Sequence, residues 1–414
     1  MNLLDEKDQI VFYKYRVKEL YLLFEDENYK LNNNRLKDVI FIEDYIENLY
    51  PIFKVDIAVE KSVYMKIIKN KDTLKIKANI QKFYRIGDSS EKSVYYSYIN
   101  DTFQLILDDD DDDLGKDAYE KEFPDGDEDK VDAIIVTMEL FLFKKNTIKG
   151  SRTLLNKIFQ KCTITNAIMY LLGRLGVTNV LMDKADNKTS YDELKLPPLT
   201  INEEFRFLDS YYGIHKHGTV TYFGLTRSYI LRFYSTTNAY EKGEIEDVCF
   251  IIPKKGSSVT DSYAMVDKAA DKTKYYIIVD PDQFTPQTQS TTQSVLSAEN
   301  ITVVHSSSGE IEEDTSDEGD SNNKKIIVAH GVNPYYTKMY RNIIRSAESV
   351  IEVFVKDCDI SVLEPNKHYS FLFEDTSLAK KYKGKYFLCK KEAILSKQGT
   401  EFECGATLTL RKMS

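Results

Sequence analysis

Residues 53–59 alternate in character. Phe53, Val55, Ile57 and Val59 are apolar, with Lys54, Asp56 and Ala58 between them. A two-residue period places one set of side chains on a single face of a β-strand. The period returns where Leu74, Ile76, Ala78 and Ile80 alternate with Lys75, Lys77, Asn79 and Gln81, which predicts a half-buried strand with a lysine-rich outer face. Residues 94–107 read as a pair of strands rich in tyrosine and aliphatics. Ile134, Val136, Met138, Leu140 and Leu142 line one face of a further strand. Between strands, Val63, Ile67 and Ile68 fall at helical spacing and predict one short helix within 60–70. Residues 1–147 are thus expected to form an antiparallel sheet interrupted by a loop.

The period changes after Ser151. Leu154, Leu155, Ile158 and Phe159 form a helical stripe behind a Ser cap. Thr165 is placed to cap a second helix carrying Ile168, Met169, Leu171, Leu172 and Leu175, which Gly176 closes. A short strand at 177–182, a polar loop and Leu196-Pro197-Pro198-Leu199-Thr200 follow. A helix at 202–211, with Phe205, Leu208 and Tyr212 on one face, ends at Gly213 and leads to strands at 217–225 and 228–234. Residues 148–240 therefore read as an α+β module.

Residues 241–414 return to strands, at 248–252, 275–279, 326–329, 350–355, 369–373, 385–388 and 407–411, with Pro365-Asn366 marking a turn. A polar insertion over 284–325, rich in Ser, Thr, Gln and acids, is expected to be largely irregular, with one strand at 301–305. The expected fold class is α+β, predominantly antiparallel β, with an α+β module between two β domains.

Composition narrows the class. The chain has 414 residues, 42% hydrophobic, enough to bury a core without metal or disulfide staples. The longest apolar run, 133–143, contains Thr137 and Glu139 and is too short to cross a bilayer, which needs about 18 residues. The N-terminal residues lack the basic-then-apolar layout of a secretory signal. Five scattered cysteines without a CxxC pair point to reduced thiols and assembly in a cytosol. The net charge of −10 is local. Residues 108–129 hold 13 acids and two lysines, and residues 310–320 hold seven acids and no base, which leaves the rest near +8. The six aspartates Asp108 to Asp113 repel one another, so the insertion 108–130 reads as a solvated loop. Asp125, Asp127 and Asp129 imitate the start of a calcium loop, but Lys130 stands where the turn needs Gly and Val136 where the last ligand needs Glu.

The chain carries no GxxxxGK or GxGxxG phosphate loop and no GxSxG elbow. Ser377-Leu378-Ala379-Lys380 matches SxxK without its companion motifs. His215 and His217 share a strand face without a carboxylate at ligand spacing, and Glu203, Glu204 and Asp209 read as capping or solvating acids. No catalytic, cofactor or metal residues are therefore assigned. One basic patch remains: six lysines between 380 and 391, of which Lys380, Lys381, Lys383 and Lys385, with Tyr386, are the candidate interaction residues. Lysines interleaved with Tyr382 and Tyr386 suit nucleic acid, and equally a solvated hairpin face or an acidic protein partner.

Three stretches carry a family resemblance. The first is Leu49-Tyr50-Pro51-Ile52-Phe53-Lys54-Val55 through Asp72 and the alternating strand to Phe83. The second is the helix pair after Ser151, with Pro197-Pro198 and Phe207-Leu208-Asp209-Ser210-Tyr211-Tyr212-Gly213. The third runs from Asp359 to Tyr369, then Tyr382-Lys383-Gly384-Lys385-Tyr386-Phe387-Leu388 and Thr407 to Arg411. Together they resemble the central baseplate hub proteins of contractile phage tails, whose relatives form the hub part of type VI secretion spikes. Pro197, Pro198, Tyr211, Tyr212 and Gly213 form the most specific motif.

The resemblance implies two tail-tube-type β domains, at 1–147 and 241–414, around a peripheral module at 148–240. It implies a homotrimer forming a pseudo-sixfold ring that joins the tail tube, or a tube initiator, to a central spike. Without a C-terminal spike or lysozyme extension, that needle is expected to be a separate chain. The peripheral module, with its 183–195 loop, is expected to dock baseplate wedge proteins. DNA would pass through the ring without specific binding. The expected location is the virion tail, assembled in the host cytoplasm without a membrane anchor, and no enzymatic activity or cofactor is expected. Two other readings remain open: another β-rich virion part such as an adhesion or plug protein, and a cell-wall hydrolase with an unlocated carboxylate pair.

Overall fold

The computed structural model describes residues 10–32, 35–86, 94–105, 135–232, 245–256, 264–267, 273–287, 300–306, 309–315, 324–347, 350–398 and 401–413. The acidic insertion 108–130, with its calcium-like aspartates, lies outside them.

The first segment comprises β1 (Ile10–Leu23), β2 (Asn28–Lys30), β3 (Leu36–Asp44), β4 (Ile52–Glu60), α1 (Lys61–Lys69), β5 (Lys75–Ile86), β6 (Val94–Leu105) and β7 (Ile135–Lys144). The alternation at 53–59 becomes β4, whose Phe53, Val55, Ile57 and Val59 are all fully buried. Residues 94–105 form one continuous strand instead of the expected pair, because β6 pairs with β5 from Val94 to Gln104 across a single register shift. Two long strands, β1 and β3, were not anticipated. In β1 a bulge between Val17 and Glu19 shifts the phase, so Tyr15 and Val17 and then Leu20 and Leu22 face inward and no single period runs through.

The middle segment holds α2 (Lys145–Arg152), β8 (Leu154–Thr163), α3 (Ile164–Leu175), β9 (Val180–Met182), β10 (Ser190–Thr200), α4 (Ile201–Phe207), a π-helical turn (Leu208–Tyr212), β11 (Thr219–Phe223) and β12 (Ser228–Arg232). The helical stripe expected at Leu154, Leu155, Ile158 and Phe159 is instead strand β8. Its partner β10 matches it from Leu154↔Thr200 to Thr163↔Ser190, and Leu154 and Ile158 stay exposed while Leu155 is buried. An i, i+4 spacing also arises in a strand that has apolar residues on both faces, and cross-strand pairing decides here. The helix lies one element earlier. The next helix forms as expected, but Thr163 caps it, accepting from Asn166 N–H at 3.4 Å, and Gly176 closes it at φ 71°.

The third segment contains β13 (Ile245–Ile252), β14 (Ala264–Asp267), β15 (Thr273–Ile278), β16 (Phe284–Gln287), β17 (Asn300–His305), β18 (Ile311–Thr315), β19 (Lys324–Ala329), α5 (Tyr336–Ala347), β20 (Val350–Lys356), β21 (His368–Phe373), α6 (Thr376–Lys381), β22 (Tyr386–Gln398) and β23 (Glu401–Lys412). The described part of the polar insertion holds more order than expected. β16 pairs with β20, and β17 pairs with β18 and β19 in a separate sheet.

The main sheet draws its 15 strands from the first and third segments. Its antiparallel pairings close on themselves through β3, β4, β7, β6, β5, β1, β23 and β22. An eight-stranded circuit is just wide enough to be filled by side chains. Here Tyr15, Phe41, Phe53, Tyr98 and Phe103, from four strands, meet with ring centroids 4.7–5.9 Å apart. A second circuit shares β1, β23 and β22 and continues through β21, β13, β15 and β14, with β13 parallel to both neighbours. The middle segment forms its own core around α3, α4 and the π-helical turn. No described helix is long and apolar enough to cross a membrane.

Candidate functional site

The basic run separates into three environments. Helix α6 is capped by Asp375, whose carboxylate accepts the Ser377 hydroxyl at 2.5 Å and the N–H groups of Ser377 at 2.8 Å and Leu378 at 3.3 Å; these bonds, the hydroxyl's first, hold its pKa below the usual range. Beyond the cap, Lys380, Lys381, Lys383 and Lys385 are exposed and form no ion pair among the described residues. Lys390 is half-buried, 3.6 Å from Glu392. Lys391 is buried, its Nζ 2.5 Å from Glu43 Oε2 and 2.9 Å from Leu363 O.

The tyrosines turn the other way, which corrects the expectation for Tyr386. As the first residue of β22 it pairs with Tyr369 and Lys412 and points inward. It is fully buried, its hydroxyl donating to Tyr382 O at 3.1 Å and its ring edge-on to Phe371. Tyr382 is buried against Phe284 and Phe373. The patch therefore presents ammonium groups without an aromatic platform, which removes base stacking as a mode of contact.

The Pro197, Pro198, Tyr211, Tyr212 and Gly213 motif builds a junction. The two prolines sit where the β8–β10 register shifts, between Leu196 and Leu199, a place where missing N–H donors cost little. Thr200 and Glu203 then close a capping box on α4. The π-helical turn ends at Gly213, at φ 72°. Tyr212 is buried, and its hydroxyl accepts Lys195 N–H at 3.0 Å. Asn187 donates to Tyr212 O and Gly213 O, both at 2.8 Å.

The opposite side of this turn receives the loop after β19. Asn333 donates to Asp209 O at 3.1 Å and Ser210 O at 3.3 Å, and Val332 N–H donates to Tyr211 O at 2.8 Å. A Cβ on Gly213 would lie 2.1 Å from Asn333 Oδ1, and one on Gly331 would lie 2.5 Å from Tyr211 O. Both glycines are required by close approach. Asn187, Asn333 and Glu43 were missed by sequence reasoning. Only Asn333 carried a local signal, the turn-forming Gly331-Val332-Asn333-Pro334.

His215 and His217 do not converge on a ligand set. His215 is buried, with its Nδ1 3.8 Å from Asp186, and burial pushes its pKa down to about 4, so it is neutral at pH 7. His217 Nδ1 lies 2.7 Å from the Asn342 amide. Among the described residues no three His, Cys, Asp or Glu side chains gather at metal-binding distance.

The fold is similar to that of solved tail proteins. A tail protein from Neisseria meningitidis MC58 is similar over 97% of this chain and 96% of its own, at 9% identity and a TM-score of 0.55. The 43 kDa tail protein of prophage MuSo2 from Shewanella oneidensis matches over 95% and 96%, at 12% identity and 0.50. The type VI secretion component c3393 of E. coli matches at 8% identity and 0.41, over 97% of this chain and 77% of its own. Residues 9–413 match the family model of the bacteriophage PBS1 gene 109 protein, and the chain belongs to that family. A comparison with curated proteins finds no match.

Proposed function

We propose that the chain is the central hub of a phage tail baseplate, without enzymatic activity. Three copies make a pseudo-sixfold ring that joins the tail tube, or a tube initiator, to a separate spike. The observation that carries this reading is the pair of closed strand circuits within one chain. Two circuits in each of three subunits supply six β units around an axis, which suits a ring between a sixfold tube and a threefold spike. In this reading the tube-type domains are residues 1–147 and 241–414. Residues 148–240 are peripheral and face the baseplate wedges. The exposed Lys380, Lys381, Lys383 and Lys385 face protein partners on the outer surface, and DNA passes the lumen without specific contacts. The protein assembles in the host cytoplasm and resides in the virion tail.

Light scattering on a sizing column at micromolar concentration tests the reading. A mass of about 144 kDa, three times 47.9 kDa, is expected. A ring with a central hole should then be visible by negative-stain imaging. A monomer that stays a monomer when mixed with the spike and tube proteins of the same phage would overturn it.

A further inference from the structure

A cleft of about 250 Å³ lies between the loop after β3, the α4–π turn, β11 and α5. Its walls are largely apolar, with Ile46, Leu49, Phe205, Val220 and Met339. One carboxyl group, Asp209, lines it. Its Oδ1 accepts from the Thr219 hydroxyl at 2.6 Å and from Ile214 N–H at 3.3 Å, and it forms no ion pair among the described residues. Burial pushes its pKa up to about 6, as expected of a carboxyl group removed from water with no cation opposite. Arg206 stands at the same cleft but donates its guanidinium to Glu47 O at 2.9 Å.

One side of the cleft is an open strand edge. Among the described residues β11 pairs only with β12, and at its far end Phe223 N–H donates to Leu49 O, away from β12. N–H and C=O groups of residues two apart point to the same side of a strand. Thr221 and Thr219 therefore also face away from β12, and Thr219 N–H is taken by Asp209. Thr221, between these two, has no partner for its N–H or C=O among the described residues. An unpaired edge beside an apolar wall and an uncompensated carboxyl group has the features of a strand-addition site.

We propose that this cleft docks an extended segment of a partner protein carrying a Lys or Arg side chain. The segment bonds to the N–H and C=O of Thr221, lays an apolar side chain on Ile46 and Leu49, and brings its cation to Asp209. The exposed patch Lys380, Lys381, Lys383 and Lys385 does not fit, because it lies on a helix end and a turn rather than on an extended strand. The proposal is independent of the ring reading.

The test uses the full chain and a fluorescein-labelled peptide, Thr-Val-Lys-Val-Thr-Val, read by fluorescence anisotropy. Saturable binding is expected, weakened at least about tenfold when Glu replaces the peptide's Lys. Thr221→Pro deletes one outward N–H from an edge strand, where Pro is tolerated, and is expected to weaken binding at least about tenfold with the circular dichroism spectrum unchanged. Met339→Trp, which fills the cleft from α5, is expected to do the same by a different route. Absence of saturation, equal binding of the Glu peptide, or indifference to both variants would overturn the proposal. So would self-association of the wild-type chain that Thr221→Pro abolishes, since that result assigns the edge to a second copy.

Discussion

Replacing Lys391 with Met tests the buried ion pair that ties the middle module to the barrel. Glu43, on β3, accepts from Tyr222 of β11 at 3.0 Å, from Leu225 N–H at 3.4 Å and from Tyr45 at 3.2 Å, and Lys391 of β22 lies 2.5 Å away. The ammonium also donates to Leu363 O and Ile360 O, so each of its three protons has an acceptor. Burial pushes the Glu43 pKa up, but the charge of Lys391 and the hydrogen bonds from Lys391, Tyr222 and Leu225 outweigh it and leave the pKa below the ordinary value. Removing the cation strands a buried carboxylate and two carbonyl groups, at a cost of about 3–5 kcal/mol. Glu43→Gln combined with Lys391→Met should recover roughly half of that, because the amide still accepts from the tyrosines while the carbonyls stay unpaired. Urea denaturation followed by far-UV circular dichroism gives the energies; the chain has no Trp to report by fluorescence. The pH dependence supplies a sign. With a depressed folded-state pKa, the wild type keeps the Glu43 contribution above the unfolded value of about 4.5 and loses it as pH falls through the folded value. Without Lys391 the folded pKa should rise above the unfolded one, so this group's contribution would be lost as pH rises. A cost under about 1 kcal/mol, or additive single and double variants, would refute this account of the pair.

Glu204 is buried on α4 with both carboxyl oxygens lacking a hydrogen-bond partner among the described residues. Burial, and secondarily Glu203, raise its pKa to about 8, so its neutral form is the one folded at pH 7. Wild-type stability is expected to fall as pH rises from about 5 through 8, a slope that Glu204→Gln should flatten in thermal melts at pH 6 and 9. Gly213→Ala adds a Cβ at φ 72° against Asn333 and should cost about 1–3 kcal/mol, with faster hydrogen exchange in the Gly331–Tyr335 loop as its local signature. Charge reversal of Lys380, Lys381, Lys383 and Lys385 should leave urea midpoints nearly unchanged, about 0.5 kcal/mol or less per site, because the ammonium groups are exposed and form no ion pair among the described residues, Lys381 alone lying over a ring, that of Tyr382 at 5.2 Å. The same variant should still weaken any outer-surface assembly contact, read as lost co-sedimentation with partner proteins.

The elements legible from sequence were those with one uninterrupted period. β4 and the start of β5 have it, and the helix ending at Gly176 adds a glycine stop. β1 escaped because its bulge at Val17/Glu19 changes the inward phase halfway along. β8 escaped because Leu154 and Ile158 face solvent, so its apolar spacing does not record a buried face. The candidate patch was half legible. Its exposed lysines follow from charge, but the inward turn of Tyr386 depends on the β22 register, which is set by β23 and β3. The Tyr211-Tyr212-Gly213 motif stood out in the sequence, yet its contact lies more than a hundred residues away at Asn333. Neither partner's local pattern names the other.

The strand order also constrains how such a chain can form. β1, nearest the N-terminus, belongs to both circuits, and its neighbours include β23, nearest the C-terminus, and β14 from the third segment. Neither circuit can therefore close until β22 and β23 have been synthesised. Pairings of such large sequence separation carry a loop-closure cost before any contact repays it, which predicts slow, late closure. The seams are narrow as well. β1 meets β23 at one residue pair, Tyr15↔Phe402, and β21 meets β22 at one, Tyr369↔Tyr386. All four side chains are fully buried, so these seams are held by packing more than by ladder hydrogen bonds. Tyr15 adds a long-range tie, because its hydroxyl accepts Ile360 N–H at 3.0 Å. Tyr15→Phe keeps the ring and leaves that N–H without its acceptor, an expected cost of about 1–3 kcal/mol. Because the loss falls on β1, which both circuits share, refolding should slow more than that of Tyr369→Phe, whose hydroxyl donates to Glu364 O, nearby in sequence. Stopped-flow refolding from urea distinguishes the two, and equal slowing would refute this account of the β1–β23 seam.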